Sequence, residues 1–143
     1  MNLQYRKATE NDISFLFDLR TKTMTEHYIS SHLPTDKEST LQRILYHFEK
    51  ANIITLNNEP IGLLKINKAE NHIEVFQIQI DPKLQGKGIG KSILKEIIEE
   101  ASATKKPVRL SVLKTNKAQT LYVVLGFKII AEDQHSYMME LVN

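Results

Sequence analysis

The sequence predicts an α/β fold: a mixed, mostly antiparallel central sheet flanked by helices, in the order β-α-α-β-β-β-α-β-α-β-β. Three observations carry this reading. Apolar residues recur at helical spacing in the stretches around residues 13–28, 37–48 and 89–101. Short runs of Ile, Val, Leu and Phe broken by turn residues fill the middle and the end of the chain. Of five glycines, three (Gly86, Gly88 and Gly90) alternate at one junction between a strand and a helix.

A short first strand around Leu3 and Tyr5 stops at Thr9-Glu10-Asn11-Asp12, a helix-start signal with Thr9 as N-cap and Asp12 at the third position. Ile13, Leu16, Phe17 and Leu19 then form the apolar face of a first helix reaching about residue 28. Pro34-Thr35-Asp36 restarts the chain, and Leu41, Ile44, Leu45 and Phe48 mark a second amphipathic helix. Residues 53–56, 61–66 and 73–80 read as three strands of a meander, separated by Asn57-Asn58-Glu59-Pro60 and by Glu70-Asn71. Asp81-Pro82 ends the meander, because proline cannot donate to a ladder and restricts the residue before it. After the glycines, Ile89, Ile93, Leu94, Ile97, Ile98 and Ala101 line the buried side of a third helix. Val108, Leu110 and Val112 alternate as a strand, residues 117–125 make a short helix, and strands follow at 127–130 and 135–142.

A length of 143 residues suits one domain, residues 1–143, with a core of useful size. A formal charge of +2, with Lys105-Lys106 as the longest basic cluster, gives no footprint for a nucleic acid. The absence of cysteine removes disulfides, thiolate metal sites and a cysteine nucleophile, and agrees with a reducing cytoplasm. No signal-peptide core opens the sequence, and no stretch approaches the roughly 20 apolar residues that cross a bilayer. The expectation is a cytoplasmic protein without a membrane partner, monomeric or homodimeric.

A strand, a run of glycines and a helix together make an anion site. The first turn of a helix presents unpaired N–H groups at the positive end of its dipole, and glycine lets a phosphate approach the backbone. Two phosphate-binding patterns fail here. Gly90-Lys91-Ser92 supplies the ending of a nucleotide P-loop, but the leading glycine would fall at Gln85. For a dinucleotide fingerprint the third glycine would fall at Lys91, and no ribose-binding acid follows at about 20 residues.

The pattern Gln85-x-x-Gly88-x-Gly90, behind a strand and Asp81-Pro82, resembles the pyrophosphate loop of the GNAT superfamily of N-acetyltransferases. A second signature of that superfamily stands at the expected distance downstream: Asn116-x-Ala118-x-x-Leu121-Tyr122-x-x-Leu125-Gly126-Phe127. The element order agrees along nearly the whole chain. The resemblance implies an enzyme that transfers acetyl from acetyl-CoA directly to a primary amine in a ternary complex.

It also implies site residues. Backbone N–H groups of Gln85, Gly86, Lys87, Gly88, Ile89, Gly90 and Lys91 would hold the CoA pyrophosphate, with Ser92 adding a hydroxyl. Lys87 and Lys91 either add charge at the rim or are plain solvated lysines. The main chain of Ile78, Gln79 and Ile80 would pair with the pantetheine arm. Asn116 would bond the pantetheine, or cap the short helix, or both. Tyr122 stands where the family's general acid stands, its phenol protonated at neutral pH; the competing reading is a core aromatic. Glu74 is the candidate base, or else a solvent-facing strand residue, and His135 is a second, weaker candidate.

For the acceptor, Arg20, Thr23 and Met24 share a flank of the first helix with Tyr28 a turn later. An arginine there would clamp a carboxylate, or else pair with a surface acid. A catalytically silent acyl-CoA-binding domain acting as a sensor or partner module is the alternative function.

Overall fold

In a computed structural model that describes residues 2–142, the chain forms seven strands and four helices. The order is β1 (Leu3–Lys7), α1 (Ile13–Ser30), α2 (Lys37–Leu45), β2 (Ala51–Leu56), β3 (Glu59–Lys68), β4 (Ile73–Ile80), α3 (Ile89–Ala103), β5 (Val108–Leu113), α4 (Gln119–Leu125), β6 (Lys128–Glu132) and β7 (Ser136–Leu141). This is the predicted order. The strands make one sheet, β1-β2-β3-β4-β5-β7-β6, in which β4 and β5 alone run parallel.

Local chemistry sets the boundaries. Asp12 accepts from the Thr9 amide (2.8 Å) in a 3-10 turn, so the first regular helix begins one step later than the cap signal. Asp36 caps α2 by accepting from the Ser39 amide and hydroxyl. Asn57 and Asn58, both at positive φ, form the tight turn that joins β2 to β3. The second helix departs from expectation at its end. It stops at Leu45, which is exposed, because Tyr46 turns extended and His47 is left-handed, and Phe48 then packs from a 3-10 turn.

Alternation along the strands divides the apolar residues between two faces. Ile53 and Leu63 pack with Leu16, Leu19 and Ile44 under α1 and α2. Ile54, Leu64, Val75 and Leu110 pack with Ile93, Leu94 and Ile97 of α3 on the other face. Between them, β3 and β4 approach closely at Gly62, where a side chain would collide with the Gln79 carbonyl oxygen. Among the described residues no helix is long and apolar enough to cross a membrane.

Candidate active site

The site originates in a failure of pairing. β4 and β5 are in register only over Ile73↔Val108, Glu74↔Arg109 and Val75↔Leu110. Beyond Val75 the two strands part, and the β5-facing edge of residues 76–80 has no strand partner. A bulge in the β3–β4 ladder falls at the same place: Lys65 faces Gln77 and Ile66 faces Val75, leaving Phe76 unmatched. The extra residue twists β4 away from its parallel neighbour. A cleft of about 680 Å³ fills the gap, walled by β4, the glycine loop, α3, the turn before α4 and the α1 flank.

The glycine loop closes one end. Asp81 accepts from the Lys83 amide and starts a 3-10 turn through Pro82–Leu84. Gln85 Nε2 donates back to the Ile80 carbonyl at 3.0 Å, fastening the loop to β4. Gly86 (φ 79°) and Gly88 (φ 80°) are left-handed, a conformation that costs an L-residue about 1–2 kcal/mol. A Cβ added at Gly86, Gly88 or Gly90 would meet no protein atom within 4 Å. The glycines at 86 and 88 thus serve backbone conformation, and all three leave open space above the first turn of α3. Unpaired main chain along β4, donors at a helix start and a cradle free of side chains suit an extended ligand ending in phosphates.

Across the cleft, Asn116 Oδ1 accepts from the Ala118 main-chain amide (2.9 Å), and Gln119 Nε2 donates to the main-chain carbonyls of Leu113 and Lys114. These bonds fix the turn that carries α4. The same turn touches α1, with Thr115 Oγ1 donating to the His27 carbonyl and meeting Ser31 Oγ at 3.1 Å. Gly126, at φ 109°, ends α4 and folds Phe127 back so that its ring meets the Tyr122 ring edge-on, 5.9 Å between centroids. The Leu125-Gly126-Phe127 signature therefore fixes the Tyr122 ring. Tyr122 is buried in the cleft wall, its hydroxyl makes no hydrogen bond to the described residues, and burial pushes its pKa up to about 12.

Of the residues expected in the site, Thr23, Met24, Ile78, Gln79, Ile80, Gln85, Gly86, Gly88, Ile89, Gly90, Lys91, Asn116 and Tyr122 line this one cleft. Lys87 is exposed and outside its wall, and Ser92 lines an adjoining hollow with Lys95 and Glu99 that shares Gly88 and Lys91 with the cleft. Arg20 and Tyr28, also expected at the acceptor, are not in the cleft wall; they bond each other from just before and just after its α1 segment. Glu74 departs from the expectation of a base at the reaction centre. It sits where β4 and β5 are still paired, opposite Arg109 and 3.8 Å from His72 Nε2, outside the cleft. His135 is likewise remote, in the turn before β7. Sequence reasoning missed Glu26 and His27, which do line the cleft. Their signal was available: they follow Thr23 by three and four residues, on the same helical flank.

Comparison with known proteins agrees with this fold. The family model described as "Acetyltransferase (GNAT) domain" matches residues 21–143. A search of curated proteins gives no match. Among solved structures, the PaiA N-acetyltransferase of Thermoplasma acidophilum, crystallised with coenzyme A, is 20% identical over 100% of both chains at a TM-score of 0.75. An acetyltransferase of Thermus thermophilus is 16% identical, covering 100% of this chain and 98% of its own, at 0.78. The ribosomal-protein-S18-alanine N-acetyltransferase of Escherichia coli is 17% identical, covering 99% and 94%, at 0.69. At such identities the likeness concerns the fold. The family match, spanning most of the chain, settles the wider question: this protein belongs to the GNAT acetyltransferase family.

Proposed function

We propose that this chain is a single-domain, acetyl-CoA-dependent N-acetyltransferase acting on a primary amine of a small molecule or peptide in the cytoplasm. The observation that carries the reading is the coincidence of three features in one cleft. The β5-facing edge of β4 is unpaired beyond Val75, that edge ends on a loop with open space over its glycines, and the Tyr122 hydroxyl stands without a partner in the facing wall.

Acetyl-CoA supplies an activated acyl group as a thioester. In this scheme the main chain of Ile78, Gln79 and Ile80 holds the pantetheine arm, and the amides from Gln85 to Lys91 hold the pyrophosphate. The amine nitrogen forms the new C–N bond as the C–S bond breaks, so negative charge gathers on sulfur while nitrogen sheds protons. Tyr122 answers the first change. A phenol at about 12 is a weaker acid than a thiol, whose ordinary value is about 8.5, so net transfer from it would run uphill. Its contribution is a hydrogen bond to the developing thiolate; in this scheme one nitrogen proton is relayed through the hydroxyl to sulfur, so CoA leaves as the thiol and Tyr122 ends protonated. Glu26 and His27 line the cleft, and in this scheme they take the other proton, the role first expected of Glu74.

Saturating acetyl-CoA, at 100 times its Kd, should stabilise the fold by about 2.7 kcal/mol and raise the melting temperature by roughly 5–10 °C. Gly88→Trp should abolish that shift. No shift in the unaltered protein would refute the reading; release of free CoA with an amine separates an enzyme from a silent acyl-CoA-binding domain.

A further inference from the structure

Next to the cleft, under α1 and α2, lies a group of cations on which Asp36 and Glu49 act only from beyond ion-pair distance. Arg20 is 3% exposed. Its Nη1 donates to the Tyr28 hydroxyl at 2.7 Å, while Nε and Nη2 are buried with no partner. The Arg43 guanidinium lies 3.8 Å above the centre of the same Tyr28 ring, and its Nη1 is also buried without a partner. Lys65 completes the group, but its ammonium is occupied by the carbonyls of Arg43, Ile44 and Tyr46. Among the described residues none of the three forms an ion pair with a carboxylate. Burial, with the Arg43 charge, pushes the Arg20 pKa down, so the fold works against the charge it encloses.

Such an arrangement is costly. A buried charge lacking a partner loses its hydration and receives nothing in exchange, and each unbonded N–H adds its own desolvation. The guanidinium fork is the donor geometry that matches a planar oxyanion. β4 carries free acceptors as well: Gln77 Oε1 and Gln79 Oε1 are buried with no donor. Gln77 is oriented by its own amide nitrogen, which donates to the Arg43 carbonyl at 3.5 Å. Gln79 lines the cleft, and Arg20 sits one helical turn before Thr23 and Met24 on the cleft-lining flank of α1. Unfilled donors, and an unfilled acceptor at Gln79 in the cleft wall, are what a zwitterion would fill.

We propose that the acceptor is a small amine that carries a carboxylate, an amino acid in chemical class, with its carboxylate held by Arg20 and Arg43 and its amine directed past Gln79 into the cleft. This rests on the acetyltransfer reading above and adds the substrate class to it. Tyr28 is the positioning residue, because it touches one guanidinium through its hydroxyl and the other through its ring face. Lys65 takes no direct part, since its protons are already committed to main-chain carbonyls.

The test measures CoA release from acetyl-CoA with the twenty amino acids, their C-terminal amides, and spermidine as a carboxylate-free amine. At least one amino acid should be acetylated with kcat/KM a hundredfold or more above that of its amide. Arg20→Met and Arg43→Met should each remove most of that preference, and the melting shift with acetyl-CoA, which reports the folded cofactor site, should persist in both. Arg20→Met should also raise the melting temperature of the free protein, since it removes a buried unpaired charge; a guanidinium that merely braces the fold would give a fall. The inference is overturned, with acetyl transfer intact, if spermidine or the amides are the better acceptors and the arginine variants do not alter the ratio. It is equally overturned if no amino acid is turned over or raises the melting temperature of the CoA-bound protein. A missing acetyl-CoA shift would remove the underlying reading along with it.

Discussion

Replacing Tyr122 by Phe removes one oxygen from the cleft wall and tests the proposed chemistry. The ring contributes the burial and the edge-on contact with Phe127, and Phe retains both. The hydroxyl bonds to no described residue, so its loss orphans no protein group, and stability should stay within about 0.5 kcal/mol of the parent. Acetyl-CoA affinity should also hold, since main-chain groups of β4 and the glycine loop dominate binding. Turnover should not. Removing one donor aimed at developing charge in a water-poor site costs about 100-fold or more in kcat, near 2.7 kcal/mol of transition-state stabilisation. The assay is steady-state CoA release at saturating amine, with melting curves on both proteins. The pH profile adds an independent check. Because burial holds the phenol at about 12, ionisation of Tyr122 should impose no alkaline limb on kcat up to about pH 10. An unchanged kcat in Tyr122→Phe would show that sulfur leaves without help from this hydroxyl. A large loss of stability would show that the residue is a packing element.

Two further expectations concern the scaffold that shapes the cleft. Gly62→Ala places a Cβ against the Gln79 carbonyl and within 3.2 Å and 3.3 Å of Ile80 Cδ1 and Ile54 Cδ1, so β3 and β4 must separate. The urea midpoint should fall by the equivalent of about 2–3 kcal/mol, and a midpoint equal to the parent's would disprove the close approach. Lys65 predicts a pH dependence of stability. Burial, aided by Arg20, lowers its pKa from 10.5 to about 8, so between these values the unfolded chain binds more protons than the folded one, and stability rises with pH. By pH 9.5 the gain is roughly 2 kcal/mol, read from urea midpoints at pH 7.5, 8.5 and 9.5. Lys65→Met should flatten that rise; parallel profiles for the two proteins would contradict it.

What the sequence discloses depends on the distance over which each feature is built. Gly86, Gly88 and Gly126 are needed by their own dihedral angles, and the Asn116 turn and the Phe127 contact span a few residues, so their pattern survives as readable text. Strand and helix types follow from local alternation for the same reason. Glu74 is misplaced at the reaction centre because spacing along β4 does not reveal where β5 departs. A trace of that event is nevertheless present. The apolar positions of β4 run Ile73, Val75, then Ile78, Ile80, and all four pack toward the α3 face. The change from odd to even numbers is the bulge at Phe76, which inserts one residue and restores the facing. Read that way, the opening of the cleft belongs after residue 75, and a carboxylate at 74 stands on its closed side.

The cations beneath α1 and α2 are unreadable for a different reason, and the contrast among them separates structure from function. Lys65 interrupts an apolar strand, and alternation sends it to the face it shares with Leu63, under α2. There the last turn of α2 presents carbonyls that no helical N–H can reach, and the ammonium meets those of Arg43, Ile44 and Tyr46 at 2.5–3.3 Å. A buried lysine at the negative end of a helix is thus a cap built from another element, complete within the fold. Arg20 and Arg43 have the same surroundings and one more resource, the shared Tyr28 side chain, yet three of their nitrogens stay unfilled. Burial alone does not explain that difference, since Lys65 is buried more deeply and is fully bonded. If the arginines existed to hold α1 to α2, an aspartate or glutamate on either helix would serve them, and α1 and α2 carry Asp18, Glu26 and Glu38, all exposed. The acid that acts on Arg43, Asp36 at the start of α2, stands beyond ion-pair distance, and no carboxylate pairs with either guanidinium among the described residues. That separation is intelligible if the missing carboxylate arrives with the substrate, one helical turn from the cleft where its amine must react.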